Sequence, residues 1–238
     1  MANTPTIAPP IEQNWALFLD IDGTLLDIAP TPEAVVVPEG LIASLEAASQ
    51  KLGGALAVVS GRPLISIDAL LAPLTLPAAA EHGAVLRNPD GLLQRAGGGL
   101  PLPWRENIRE VAATWEGVVI DEKPHSVAVH FRLAPSREED VCRLLQQVIN
   151  GHEDYEILPA KMAFELRRKG QHKGAAIESF MALSPFAGRL PVFIGDDFTD
   201  EDGFAVTRAM GGKGLHVQDD FAGEPSRVRN WLSQWAGT

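Results

Sequence analysis

The feature that most constrains this chain is a short apolar run that stops on two carboxylates. Residues 16–26 read Ala-Leu-Phe-Leu-Asp-Ile-Asp-Gly-Thr-Leu-Leu. Leu17 to Leu19 offers no polar residue to water, so it reads as a strand buried on both faces. An Asp at the end of such a strand makes sense only if the strand stops there and opens into a site. In extended backbone, residues i and i+2 share a side, which predicts that Asp20 and Asp22 face one small volume. Close carboxylates repel and need a cation or a proton between them. Gly23 then permits a tight turn. We read an acid pair at the carboxyl end of a central parallel strand, the usual ligand position in an open α/β sheet.

The chain beyond this run alternates as such a sheet requires. Asp27 to Glu33 reads as a loop. Pro38 to Lys51 predicts a helix with Leu41, Ile42, Leu45 and Ala48 on one face, stopped by Gly53-Gly54. Ala55 to Val59 is a second buried strand ending at Ser60-Gly61-Arg62-Pro63. A helix over 64–71 and a short strand over 76–80 follow, ending at Glu81-His82-Gly83. The pattern is β, α, β, α, β. It then changes: Ala84 to Leu93 reads as a hairpin broken by Asn88-Pro89-Asp90-Gly91, and 96–103 is rich in Gly and Pro. A helix over 104–115, strands over 118–122 and 126–132, a helix over 136–150 and strands over 155–158 and 163–168 make an α+β block. Ser136 and Glu139 predict a capping box for its second helix. The first style returns with a helix over 173–182, a strand over 190–194, a helix over 201–210, a strand over 214–217 and a helix over 224–235. The expected fold class is α/β, a doubly wound Rossmann-like parallel-sheet core with an inserted α+β cap. Its expected domains are 1–102 and 169–238 for the core and 103–168 for the cap, with a ligand in the cleft between them.

Composition excludes some functions. With 238 residues the chain can bury a full core. Its formal net charge of -11 argues against nonspecific nucleic-acid binding and against an anionic membrane surface. A phosphorylated substrate remains compatible, because a bound cation can dominate a local site. The one cysteine, Cys142, leaves no internal disulfide and no cysteine metal cluster. No apolar run approaches 18 residues, so no membrane span is expected. Met1 to Gln13 reads as a loose tail without a signal peptide. The cytoplasm is the expected location, and a monomer the expected state.

Four strand ends carry polar chemistry: Asp20 and Asp22, Ser60, Glu81-His82, and Asp196-Asp197. Together with Lys173, the motifs Asp20-Ile21-Asp22-Gly23-Thr24, Ser60 and Gly195-Asp196-Asp197-x-x-Asp200 resemble, in order, the four motifs of haloacid-dehalogenase-like phosphatases. Ser60-Gly61-Arg62-Pro63, Glu81-His82-Gly83, Lys123 through His130-Phe131-Arg132, Lys161 through Arg167, and Gly195 through Asp202 look like trehalose-6-phosphate phosphatases. One position departs from that pattern: Asp121 stands where the family often has Glu, two residues before Lys123.

The resemblance implies a Mg²⁺-dependent hydrolase that converts trehalose 6-phosphate to trehalose and phosphate, and the residue types suit that chemistry. Ester hydrolysis needs a nucleophile, an acid for the leaving oxygen and charge neutralisation. Asp20 is the implied nucleophile, forming an aspartyl-phosphate, and Asp22 the implied acid and base. Ser60 and Lys173 are implied to bind the phosphoryl oxygens. Oxygen ligands without a cysteine or a His pair favour Mg²⁺. Asp20, Asp196 and the backbone carbonyl of Asp22 are its implied ligands, with Asp197 or Asp200 holding metal-bound water or orienting Lys173. Gly23, Gly61, Arg62, Glu81, His82, Lys123 and Glu165 are the implied substrate-binding residues.

Plainer roles compete at several positions. Glu201 and Asp202 can serve the N-terminus of the following helix. His130 and Arg132 can belong to a solvated sheet face, and His125 and His172 can be incidental. Trp104, Trp115, Trp231 and Trp235 read as helix packing. Three other functions stay open: a different sugar-phosphate or nucleoside phosphatase, a phosphomutase, or a sugar-phosphate-binding module without catalysis. A dinucleotide-binding domain is set aside, because no G-x-G-x-x-G turn follows the first strand.

Overall fold

The computed structural model describes residues 8–29, 34–95, 97–160 and 162–237. Residues 1–7 of the expected tail, residues 30–33 of the expected first loop, Ala96 in the Gly/Pro stretch and Lys161 of the quoted motif lie outside the described residues. In chain order the strands and helices are β1 (Trp15–Leu19), α1 (Leu41–Lys51), β2 (Leu56–Val59), α2 (Leu64–Leu71), β3 (Ala78–Ala80), β4 (Val85–Arg87) and β5 (Leu93–Arg95). Next come α3 (Leu102–Ala112), β6 (Val119–Glu122), β7 (Val127–His130), α4 (Glu138–Val148), β8 (Tyr155–Ala160) and β9 (Ala163–Arg168). The chain closes with α5 (Lys173–Met181), β10 (Leu190–Gly195), α6 (Glu201–Ala209), β11 (Lys213–His216), α7 (Val217–Asp220) and α8 (Pro225–Ala236). Two compact units result. One holds the described residues up to Arg95 and from His172 onward; the other holds those between, to Gln171.

The first unit is built on a seven-stranded sheet of order β11-β10-β1-β2-β3-β4-β5. The first five strands of that order run parallel and the β4–β5 hairpin adds antiparallel pairs at one edge. β1 lies at the centre, with Leu19 opposite both Val58 and Ile194. Every residue of β1 and β2 is buried, as an all-apolar strand with helices on both sides requires. The order reverses at β1, since β2 and β3 lie to one side and β10 and β11 to the other. Ligands of open α/β sheets collect at the carboxyl ends beside such a reversal. Asp20 and Asp196 follow the two strands that meet there.

The second unit is a four-stranded antiparallel sheet of order β6-β7-β9-β8. Strand alternation splits its faces. Val127, Val129 and Leu166 are fully buried in an apolar core with Ile108 of α3 and with Val141 and Leu145 of α4. Asp121, Ala128 and Glu165 fall in one cross-strand row on the opposite face.

Several expectations need correction. The first helix begins at Leu41, because Gly40 has φ of 82° and the left-handed conformation ends the helix there. The capping box at Ser136 and Glu139 is absent: Pro135–Arg137 forms a 3₁₀ turn, and α4 starts at Glu138 with no side-chain cap. The helix expected from Trp104 starts at Leu102, since Pro103 is tolerated in a first turn. The tail is packed where described. Ala8 and Ile11 are buried, and the Pro9 carbonyl accepts the Trp231 indole N–H at 2.9 Å. No helix among the described residues is long and apolar enough to cross a membrane.

Phe18 is the core residue on which the central strand most depends. It is fully buried, stacks on Phe186 at 5.4 Å between ring centroids and lies 6.0 Å from Phe180. Phe18→Ala is expected to lower the unfolding free energy by about 3–5 kcal/mol, read as a shift of the urea transition midpoint.

Candidate active site

The site is assembled from loops that leave the carboxyl ends of β1, β2, β3 and β10. β1 ends at Leu19, and the Asp20 N–H donates to the Ile194 carbonyl at 3.0 Å, the last tie to the sheet. The chain then turns, with the Leu25 and Leu26 N–H groups both donating to the Ile21 carbonyl. This turn begins as soon as β1 ends. The Asp20 carboxylate is buried, whereas the Asp22 side chain is 38% exposed and grips Arg62. The two carboxylates therefore keep different company.

Asp20 belongs to a buried ionic cluster. The Lys173 ammonium, at the start of α5, donates to Asp20 Oδ1 at 2.7 Å and to Asp200 Oδ1 at 2.5 Å. Asp200 is fully buried, and its other oxygen accepts the N–H groups of Asp196 and Asp197 at 2.9 and 3.1 Å. Of the two carboxylates expected to orient Lys173 or hold water, Asp200 thus holds the lysine. Asp197 instead accepts the Thr199 N–H and hydroxyl at 2.8 and 2.7 Å, capping the 3₁₀ turn Phe198–Asp200. Burial would push Lys173 down, but the charges of Asp20 and Asp200 outweigh it and hold the lysine above its ordinary range. Burial raises Asp20 well above the usual carboxylate range; the Lys173 ammonium opposes that rise and the charge of Asp200 adds to it.

Asp20, Asp196 and Asp200 each offer a carboxylate oxygen within 4.8 Å of the others. Desolvation, then the charges of Asp197 and Asp200, push Asp196 up to about 7. The backbone makes room for this carboxylate: Gly23 has φ of 78°, and a methyl group there would overlap Asp196 Oδ2. A hard cation fits this donor set. The cluster supplies oxygen ligands only, and its raised Asp196 marks negative charge held at a cost.

Ser60 and Arg62 follow β2. Ser60 is buried, and its hydroxyl accepts the Arg62 N–H at 3.2 Å. Glu81 and His82 follow β3 and are buried with φ of 48° and 56°. That left-handed backbone costs non-glycine residues energy and persists where surrounding contacts fix it. Here the Glu81 N–H donates to the Arg62 carbonyl and the His82 N–H to the Ser60 carbonyl, both at 3.0 Å. The His82 ring lies so close to Gly61 that any side chain there would collide with it.

Lys123 and Glu165 meet in the second unit, where Lys123 Nζ donates to Glu165 Oε1 at 3.2 Å. The Ser126 hydroxyl donates to the same oxygen at 2.6 Å, a partner that the sequence reading missed and that only the register of β7 on β9 reveals. Burial holds His130 below its ordinary value, against the pull of the Asp121 charge.

A family model described as Trehalose-phosphatase matches residues 18–229. The chain belongs to the trehalose-phosphatase family. It is 45% identical over 207 residues to a probable trehalose-phosphate phosphatase of Sinorhizobium fredii, covering 86% of this chain and 78% of that one. It is 35% identical over 219 residues to the trehalose-6-phosphate phosphatase of Escherichia coli, covering 91% and 82%. The C-terminal domain of a Candida albicans trehalose-6-phosphate phosphatase shares the fold at a TM-score of 0.76 and 18% identity, over 94% and 93% of the two chains. The family match upholds the resemblance read from the motifs, and the buried cluster lies within the matched region of this trehalose-phosphatase.

Lys173 is the cation that lets Asp20 and Asp200 share a dry volume. Lys173→Met leaves both carboxylates without it and is expected to cost about 3–5 kcal/mol of stability. Asp197→Ala removes only an exposed cap and is expected to cost about 0.5–2 kcal/mol. Urea denaturation of the two variants beside the unaltered protein checks the contrast.

Proposed function

We propose that this chain is a Mg²⁺-dependent phosphatase that hydrolyses trehalose 6-phosphate to trehalose and phosphate. The observation that carries the reading is the buried Lys173 ammonium bridging Asp20 and Asp200, beside the raised Asp196, in a chain of the trehalose-phosphatase family.

Asp20 is the nucleophile. One of its oxygens forms a bond to phosphorus as the ester bond to the sugar oxygen breaks, and Asp22 gives its proton to that leaving oxygen. Asp22 then takes a proton from the water that attacks phosphorus, the bond to Asp20 breaks, and both carboxyl groups return to their starting states. Ser60 has accepted the Arg62 N–H and keeps its own proton to donate to a phosphoryl oxygen. Lys173, itself held by Asp200, neutralises charge on the same group and keeps Asp20 in one orientation. Asp20 and Asp196 would hold Mg²⁺ through carboxylates and Asp22 through its backbone carbonyl. Both Asp200 oxygens are already engaged by Lys173 and by backbone amides, which favours Asp196 over it as ligand. When bound, the ion screens the phosphate from the carboxylates and polarises it.

Gly23 and Gly61 keep the backbone open to the phosphate, while Glu81, His82, Lys123 and Glu165 supply the polar groups for the sugar hydroxyls. Within the same reading the enzyme works as a cytoplasmic monomer on a small sugar phosphate, and light scattering checks that state.

Purified protein with Mg²⁺ is expected to release phosphate from trehalose 6-phosphate far faster than from glucose 6-phosphate, and Asp20→Asn to abolish release. Preference for another ester, or isomerised sugar phosphate without free phosphate, overturns the assignment. Mg²⁺ is expected to raise the melting temperature of the unaltered protein. In Asp196→Asn that rise should be lost, and the Mg²⁺ concentration for half-maximal rate should increase by at least the roughly 10–100-fold that loss of even an outer ligand partner costs.

A further inference from the structure

The contact between Asp22 and Arg62 has no counterpart in the roles that the motifs imply. Arg62 Nε donates to Asp22 Oδ2 and Arg62 Nη2 to Asp22 Oδ1, both at 2.6 Å. This is the two-pronged pairing that guanidinium and carboxylate geometry favour. The Arg62 side chain is 13% exposed, its partner 38%.

The anchor behind the contact is rigid. The Arg62 N–H is held by the Ser60 hydroxyl, and its carbonyl by the Glu81 N–H. Pro63 then fixes the entry to α2. The guanidinium therefore springs from backbone tied to both β2 and β3. Asp22 projects from a turn beyond the end of β1, where the sheet no longer fixes its direction.

We propose that Arg62 is a positioning residue for Asp22, setting the orientation from which that carboxyl group gives and recovers its proton, and is not a binder of the transferred phosphoryl group. The proposal rests on the phosphatase reading above. A half-exposed Asp on a turn can sample several rotamers, while proton transfer needs an oxygen about 2.6–3.2 Å from the leaving oxygen. The fork selects one carboxylate plane. The pair occupies both Asp22 oxygens, so proton transfer requires one prong to open; the released oxygen then carries the proton to the leaving oxygen while the other stays on Arg62.

The role makes a distinctive demand on leaving groups. A sugar alkoxide must be protonated as it departs, whereas p-nitrophenolate leaves without a proton. Arg62→Ala is expected to lower kcat/KM for trehalose 6-phosphate by about 10²-fold, the scale of a misplaced catalytic group. For p-nitrophenyl phosphate kcat/KM should fall far less, and a circular dichroism spectrum matching the unaltered protein shows the variant to be folded. Attack of water on the aspartyl-phosphate still needs Asp22 as base, so that substrate should give a burst of nitrophenolate followed by slow turnover. Arg62→Lys keeps the charge and loses the fork, and should behave like Arg62→Ala. The double variant with Asp22→Asn should be no slower than Asp22→Asn alone.

If Arg62→Ala lowers kcat/KM equally for both esters with KM raised, or the double variant is slower than Asp22→Asn, Arg62 binds the phosphoryl group and the proposal falls. Recovery of the sugar-phosphate rate by Arg62→Lys also overturns it. Failure of the unaltered protein to turn over either ester overturns the phosphatase reading itself, a result distinct from the others.

Discussion

The structure of the site depends on an imbalance of charge. Asp20, Asp22, Asp196, Asp197 and Asp200 converge on the carboxyl edge of the first sheet, and among the described residues the cations in contact with them are Lys173 and Arg62. Each cation is committed: Lys173 to Asp20 and Asp200, Arg62 to Asp22. These pairings do not include Asp196, and burial, then the charges of Asp197 and Asp200, push it up to about 7. A phosphate dianion brought to this edge would add to the repulsion. The arrangement is stable without substrate because protons, the buried Lys173 and the partly buried Arg62 share the load, and it is suited to an additional hard cation because one carboxylate is left over.

The parallel sheet turns that imbalance into a fixed geometry. β1 and β10 are neighbours in space although far apart in sequence, so the loops carrying Asp20 and Asp196 are held at a common height by strand register. The close packing of Gly23 against Asp196 ties those loops together sterically. On the other side of β1, hydrogen bonds from Glu81 and His82 to Arg62 and Ser60 join the loops after β2 and β3. The left-handed conformations of Glu81 and His82 follow from this stitching, since both N–H groups must point back at the neighbouring loop.

Much of this was legible in the sequence because the core strands are uninterrupted apolar runs with polar punctuation. Such runs declare a doubly covered strand and its end at once, as at Leu19-Asp20 and Val59-Ser60. Contacts between distant residues were not legible in the same way. Arg62 reaches Asp22 across 40 positions and Lys173 reaches Asp20 across 153; the first was missed, and the second entered only through resemblance. The different partners of Asp20 and Asp22 were not legible either, because the strand ends one residue before the first of them and Arg62 lies far away in sequence. The start of α4 was misread for a local reason: Pro135 favours a 3₁₀ turn that shifts the helix start past the capping positions of Ser136.

In the second unit the two faces of the sheet are chemically distinct. Apolar residues at alternate positions of β7 and β9 anchor one face on α3 and α4, which frees the opposite positions from packing duty. On that face Ala128 stands between Asp121 and Glu165 in the cross-strand row. The intervening strand puts the two carboxylates two strands apart, and Glu165 is oriented by Lys123 and Ser126. A carboxylate held by an ammonium and a hydroxyl has a defined direction. Asp121 is shorter by one methylene than the Glu that the family often carries at this place. In the proposed function Lys123 and Glu165 of this face address the sugar, and the phosphate chemistry falls to the ionic cluster of the first unit.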